Sequence, residues 1–345
     1  MGRTDFFIDQ LVLFDRDSID IFGTRFSMYQ DRHGRSTSAL RAPLVSILHG
    51  LSGPSSSRYP TDTLSVDTGS FNTWVGAGKL FVSSSSTVDT GDSVFVSYGS
   101  GYFEGTELTI TKQSFGVASH AQGFAGVDGI IGVGPVDLTE GRFGNSDTVP
   151  TVTDNLCSHG VISEHLIAVS FEPMNGEPTF GGTNSSKYTG PIAYTSHVSY
   201  RSLTITSPAS YYLGIDELIA YGFETILGNT AGIVDTGTTL ILIASDAYSA
   251  YQIATGAIED DNAGLLCVTS SQPANAQIWP RSLNIAIGGS SSDIYLVVSN
   301  IGSPFGEGFH FINAYTFLEW FYSALYPGNS RVGFPTTSYT DATTN

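Results

Sequence analysis

Two short stretches of this 345-residue chain carry residues that could do chemistry as a pair. One is Leu64-Ser65-Val66-Asp67-Thr68-Gly69-Ser70. The other is Gly232-Ile233-Val234-Asp235-Thr236-Gly237-Thr238-Thr239. In each, a β-branched apolar run ends in Asp-Thr-Gly and a hydroxyl residue. A buried strand running into a tight turn gives that pattern: the strand fixes the carboxylate and glycine lets the backbone reverse. Two such turns facing each other would set two carboxylates side by side. Both cannot ionise easily, so one is pushed to hold a proton. The pair then supplies one acid and one base, as water-mediated amide hydrolysis requires.

Other chemistries find little support. The seven histidines are scattered and the two cysteines, Cys157 and Cys267, lie outside any metal-ligand spacing, so no metal and no cofactor is expected. Whether the two thiols pair stays open. No Gly-x-Ser-x-Gly marks a nucleophilic serine. The formal charge of -18 argues against a nucleic-acid partner, and no apolar run reaches the length of a membrane span. An acidic medium would suit such a charge, because protonated carboxylates stop repelling. The N-terminal stretch, interrupted by Asp5, Asp9, Asp15, Asp17 and Asp20, has no recognisable signal peptide.

The elements that must position the two aspartates read as strands. Charged residues make up only 13% of the chain and there are 39 glycines, a composition that favours sheets and turns over long helices. Residues 1–58 hold seven of the 14 basic residues and only six of the 32 acidic ones. They read as an atypical N-terminal segment, poorly ordered or peripheral. From Tyr59 onward, strands are expected at 63–66, 73–76, 93–101, 108–117, 129–134, 167–171, 178–182 and 294–299, with a terminal β group over 309–334. Helices are expected at 149–159, at 162–166 and, most clearly, at 244–255. The repeated Asp-Thr-Gly implies an internal duplication, with lobes over 59–190 and 191–345.

Val66 to Trp74, the tetrapeptide Tyr98-Gly99-Ser100-Gly101, Asp128-Gly129-Ile130-Ile131-Gly132, Phe180-Gly181-Gly182, Ile233 to Thr239 and Arg331-Val332-Gly333-Phe334 occur in one order. In them the chain resembles the pepsin-like aspartic proteases, over roughly 59–345. The resemblance implies an all-β, bilobal pepsin-like fold: two similar β lobes, a central cleft and few short helices. It implies an aspartic endopeptidase working at acid pH, with Asp67 and Asp235 as the catalytic dyad. Thr68 and Thr236 would brace the turns through mutual hydrogen bonds, with Ser70 and Thr238 supporting the carboxylates. Gly69, Gly237, Thr238 and Thr239 would line the substrate. Tyr98 would close over the cleft with Trp74 as the partner of its hydroxyl, while Gly99 and Ser100 would bond an extended polypeptide by strand addition. Pepstatin-type inhibition, a monomer and secretion are implied as well.

Against that family's pattern, several supports are expected to be short. The strands before the first Asp-Thr-Gly are reduced, and the pair after the flap is compressed into 107–114. An apolar strand is missing between Leu266 and Ile278. Phe311-Ile312-Asn313 stands where a terminal glycine is usual, and Phe71 replaces a small residue. A catalytically silent pepsin-fold protein, or a defective gene product, that at most binds peptides is therefore the second class of function left open.

Overall fold

The computed structural model describes residues 5–9, 24–27, 29–30, 36–37, 40–43, 63–83, 86–99, 101–110, 113–136, 148–171, 177–196, 215–268, 284–285, 287–329 and 331–340. Ser100, the stretch 269–283 in which a strand is expected to be missing, and most of the first 58 residues lie outside them.

Among the described residues the architecture is strands with few helices. Labelled in chain order, β1 (Asp5–Asp9) to β4 (Ser36–Thr37) form two small ribbons. The first lobe is one seven-stranded sheet. It contains β5 (Leu40–Pro43), β6 (Thr63–Asp67), β7 (Trp74–Val75), β8 (Thr87–Ser97), β9 (Tyr102–Ile110), β10 (Gln113–Gln122) and β11 (Gly129–Gly132). β6 lies between β5 and β11, antiparallel to one and parallel to the other. Flanked on both edges, it is apolar at Leu64 and Val66, both almost wholly buried, and so delivers Asp67 from a fixed rail.

Two expectations of the first lobe need correction. Leu40–Pro43 pairs with Thr63–Asp67, so part of the first 58 residues belongs to the main sheet and is not peripheral. The piece predicted as one strand over 108–117 is two strands either side of a turn. β9 and β10 pair over nearly their whole length, from Gln113 opposite Ile110 to Gln122 opposite Tyr102, so the pair after the flap is not compressed.

The helix expected over 149–159 runs from Val152 to Ser158, starting later because it is capped by Thr151 and Asp154 bonding each other's backbone amides. No helix forms at 162–166; those residues bend directly into β12 (Ile167–Ser170). With β13 (Glu177–Phe180), β14 (Tyr194–Ser196), β23 (Ser323–Tyr326) and β24 (Arg331–Gly333), β12 builds a five-stranded sheet that takes strands from both halves of the sequence. Ile167, Ala168 and Val169 of the first half face Leu325, Ala324 and Ser323 of the second. All six are essentially buried.

The second lobe repeats the rail. β15 (Ile215–Tyr221) and β16 (Glu224–Val234) form a hairpin. β22 (Phe311–Asn313) then lies parallel to β16 and antiparallel to β17 (Ile241–Ile243), whose other neighbour is β21 (Val298–Asn300). β18 (Ile258–Asp260), β19 (Leu265–Val268) and β20 (Ile294–Tyr295) make a small satellite sheet. The helix Ser245–Thr255 ends at Gly256, whose φ of 68° is one that a side chain resists. In the terminal group, Tyr315–Leu318 is a short helix, not strand: the Phe317 and Leu318 amides turn back to the Ala314 carbonyl and the Glu319 amide to that of Tyr315. Cys157 and Cys267 are both free thiols.

The shared sheet gives a first test. Leu325 is 1% exposed between strands of both halves. Leu325→Ala should lower unfolding free energy by about 2–5 kcal/mol, the range for a truncated buried leucine. Denaturant unfolding at neutral pH reads this directly.

Candidate active site

Asp67 ends β6 and Asp235 follows β16, each where a buried parallel pair of strands stops. The Asp235 amide donates to the Asn313 carbonyl at 3.0 Å, extending that ladder by one bond. Asn313 therefore does through its backbone what the expected glycine would do there, and its own side chain is buried.

The two turns hold each other. Thr68 N–H donates to Thr236 Oγ1 and Thr236 N–H to Thr68 Oγ1, both at 3.0 Å. Each hydroxyl then donates across the lobes, Thr68 Oγ1 to the Val234 carbonyl at 3.2 Å and Thr236 Oγ1 to the Val66 carbonyl at 2.8 Å. Each threonine is thus donor and acceptor at once, and both are at most 1% exposed.

The glycines show how close the carboxylates come. A Cβ on Gly69 would stand 2.4 Å from the Asp235 carboxyl, and one on Gly237 would stand 2.5 Å from that of Asp67. No side chain fits there, so each glycine makes room for the other lobe's aspartate. Within each turn the same amides serve the near carboxylate: Gly69 N–H donates to Asp67 Oδ1 at 2.8 Å and Gly237 N–H to Asp235 Oδ1 at 2.7 Å.

Beyond that the turns differ. Thr238 Oγ1 donates to Asp235 Oδ2 at 2.6 Å. Ser70 is buried in the equivalent place, yet its hydroxyl makes no well-aligned hydrogen bond. Asp235 thus receives two donors and Asp67 one. Burial first, and then the charge of Asp235, push the Asp67 carboxyl well above the ordinary carboxylate range; Ser70 and Gly69 nearby oppose the shift without cancelling it. A carboxyl held this way keeps its proton to higher pH than an exposed one would.

The flap residues fall into an aromatic cluster. Tyr98 N–H donates to the Gly101 carbonyl at 2.7 Å, closing the turn between β8 and β9 and leaving Gly99 exposed at its tip. The Tyr98 and Trp74 ring centroids are 6.5 Å apart. The expected bond between them is not made, because Trp74 Nε1 is buried without a partner. Trp74 instead stacks on Phe103 at 4.3 Å, and Phe124 stands edge-on to both Trp74 and Tyr98 at 4.9 and 5.3 Å. Phe124 escapes sequence reasoning, although Gly123-Phe124-Ala125-Gly126 signals an aromatic residue held on a turn. Thr239 accepts from Thr316 N–H at 3.1 Å and Thr238 from Tyr315 N–H at 3.0 Å, so the second turn also rests on the helix at 315–318. No group of residues able to hold a metal occurs among the described residues.

Comparison with known proteins agrees with this geometry. Residues 59–299 match the family model described as eukaryotic aspartyl protease. The chain is 54% identical to polyporopepsin of Irpex lacteus over 321 residues, covering 83% of this chain and 93% of that protein. Human gastricsin is 27% identical over 316 residues, covering 78% of this chain and 76% of its own. The crystal structure of the aspartic proteinase from Irpex lacteus superposes with a TM-score of 0.76 at 53% identity, again over 83% of this chain and 93% of that one.

Two substitutions probe the site. Thr236→Val strands the buried Thr68 amide and the Val66 carbonyl, and should cost about 2–4 kcal/mol of stability by denaturant unfolding. Gly237→Ala pushes a methyl into Asp67, and should lower kcat/KM roughly a hundredfold or more while the far-UV spectrum stays that of the parent.

Proposed function

Because the chain belongs to the eukaryotic aspartyl protease family and is a pepsin-like aspartic endopeptidase, we propose that Asp67 and Asp235 are its catalytic dyad. The observation that carries this reading is the mutual approach of each carboxylate to the other turn's glycine. Residues 59–190 and 191–345 are then two lobes, each contributing one carboxyl group to a cleft between them.

The roles divide by environment. Asp67, buried and facing a charge, holds the proton; Asp235, with two donors on its carboxylate, is the base. A water held between them loses a proton to Asp235 as its oxygen attacks the scissile carbonyl carbon. Asp67 gives its proton to the carbonyl oxygen, which becomes the second hydroxyl of a tetrahedral diol. Collapse returns a proton to Asp67, breaks the C–N bond, and passes the proton on Asp235 to the leaving amine. Both carboxyl groups end as they began.

Tyr98 and Gly99 belong to the flap that covers an extended polypeptide substrate, and Ser100, which lies outside the described residues, is assigned the same role from the sequence, with Gly69, Gly237, Thr238 and Thr239 along the other wall. Phe124, half-buried and edge-on to Tyr98, gives the flap side an apolar surface, which suits apolar side chains next to the scissile bond. Trp74 and Ser70 support the site from behind. Pepstatin-type inhibitors, which carry a hydroxyl where the diol forms, should bind there. The protein acts as a monomer and is exported, in keeping with its strongly acidic surface and activity in acid.

Asp67→Asn and Asp235→Asn should each reduce hydrolysis of a denatured protein near pH 4 by about four orders of magnitude. The pH dependence follows from the raised Asp67 value. The shared proton is fully present at acid pH and is lost as pH rises through the folded value, so kcat/KM should fall on the alkaline side. A kcat/KM profile still rising above pH 7 would exclude this assignment.

A further inference from the structure

His310 stands just before β22, the strand that carries Asn313 to the Asp235 amide, and is 5% exposed. Its backbone is part of the sheet: its carbonyl accepts from Ala244 N–H at 2.9 Å and its amide reaches the Ala231 carbonyl of β16 at 3.4 Å. Its ring has another task. Nε2 accepts from the Gly306 N–H at 2.8 Å. An amide can only donate, so Nε2 carries no hydrogen and the neutral ring has its proton on Nδ1. Nδ1 in turn meets Thr230 Oγ1 of β16, and donates to it. Both nitrogens are used, in one tautomer only.

The ring thereby fastens a loop. Residues 302–308 join β21 to β22 and are mostly exposed, with Phe305 52% exposed. Gly302, Gly306 and Gly308 have φ of 92°, 93° and 73°, which lets the loop fold tightly. Among the described residues the ties of this loop to the body are few: Gly302 N–H to Asn300 Oδ1 at 2.8 Å, the Ser303 carbonyl to Ser245 N–H at 2.9 Å, Phe305 N–H to Asp246 Oδ1 at 3.0 Å, and the bond from Gly306 to His310. Phe305 also stacks on the His310 ring at 4.3 Å.

We propose that His310 is an acid-sensitive latch, holding the loop 302–308 against the sheet beneath Asp235 while neutral and releasing it once the ring is protonated. Protonation puts a hydrogen on Nε2, where it faces the Gly306 N–H. Two donors then meet and the bond is lost. Among the described residues, Asp246 of the helix Ser245–Thr255 is the charge that acts on the ring, and Thr230 and Phe305 are neutral. Burial lowers the His310 pKa from its ordinary value and Asp246 pulls the other way. The neutral latch is intact above about pH 6.5 and is lost as pH falls through the folded value, on the way to the acid range in which this endopeptidase works. The loop is held where the enzyme is idle and freed where it is active.

Hydrogen exchange tests this on the full chain in an Asp67→Asn background, which limits self-digestion. The Gly306 amide is followed from pH 7.5 to pH 4, corrected for intrinsic rates, beside the ring carbon shifts of His310. Protection at Gly306 should fall roughly tenfold or more with the same midpoint as the ring titration, while Leu242 and Ile312 stay protected. His310→Gln keeps an acceptor for Gly306 and a donor for Thr230 but does not titrate, so its protection should stay flat. Unchanged protection at Gly306 while the ring titrates, or an equal fall in the glutamine variant, would overturn the latch. If His310→Gln does not melt cooperatively at pH 7.5, the two midpoints in the His310 chain decide alone: coincidence supports the latch and separation rejects it.

Discussion

The two lobes are joined at their centre by a pair of threonines, each of which bonds the other's amide and a carbonyl two residues before it. Four hydrogen bonds between buried groups are strong here because nothing else is available to those donors and acceptors. They fix the separation of Asp67 and Asp235 in a place from which water is largely excluded. The raised Asp67 pKa depends on that separation. Folding energy spent on pressing two carboxyl groups together becomes, in the active enzyme, a proton retained outside the usual carboxylate range.

The symmetry is incomplete in a useful way. Both turns offer a glycine amide to their own aspartate, but only the second adds a hydroxyl in good geometry. Two identical environments would leave the shared proton undecided. Thr238 supplies the difference, while the more deeply buried Ser70 makes no well-aligned bond. Phe71 next to it is packed into the core, where its bulk is accommodated.

Much of this was legible in the sequence because the motif residues act locally. Asp-Thr-Gly with an apolar run before it dictates strand and turn. What escaped were matters of pairing. Leu40–Pro43 carries no pattern that says it will lie beside Thr63–Asp67, since an edge strand is specified by its neighbour. The turn between Ile110 and Gln113 lacks glycine and proline, so two strands read as one. Asn313 looked like a defect where a glycine was expected, but the contact that matters is made by its carbonyl, which any residue has. The Trp74 partner was misjudged for the opposite reason: the ring packs so well on Phe103 and Phe124 that its N–H is left without one.

The five-stranded sheet shared by both halves has a consequence for how the chain is made. β12 is synthesised about 150 residues before β23, its neighbour, and the sheet cannot close until the last strands, Ser323–Tyr326 and Arg331–Gly333, leave the ribosome. Until then Ile167 and Val169 have β13 on one side and no strand on the other. Contacts so far apart in sequence form slowly, because the intervening loop must be closed before any pairing rewards it. The first half of the molecule therefore waits, with an open sheet edge, for the second, and a ribosome that stalls near the end leaves a chain prone to wrong pairing.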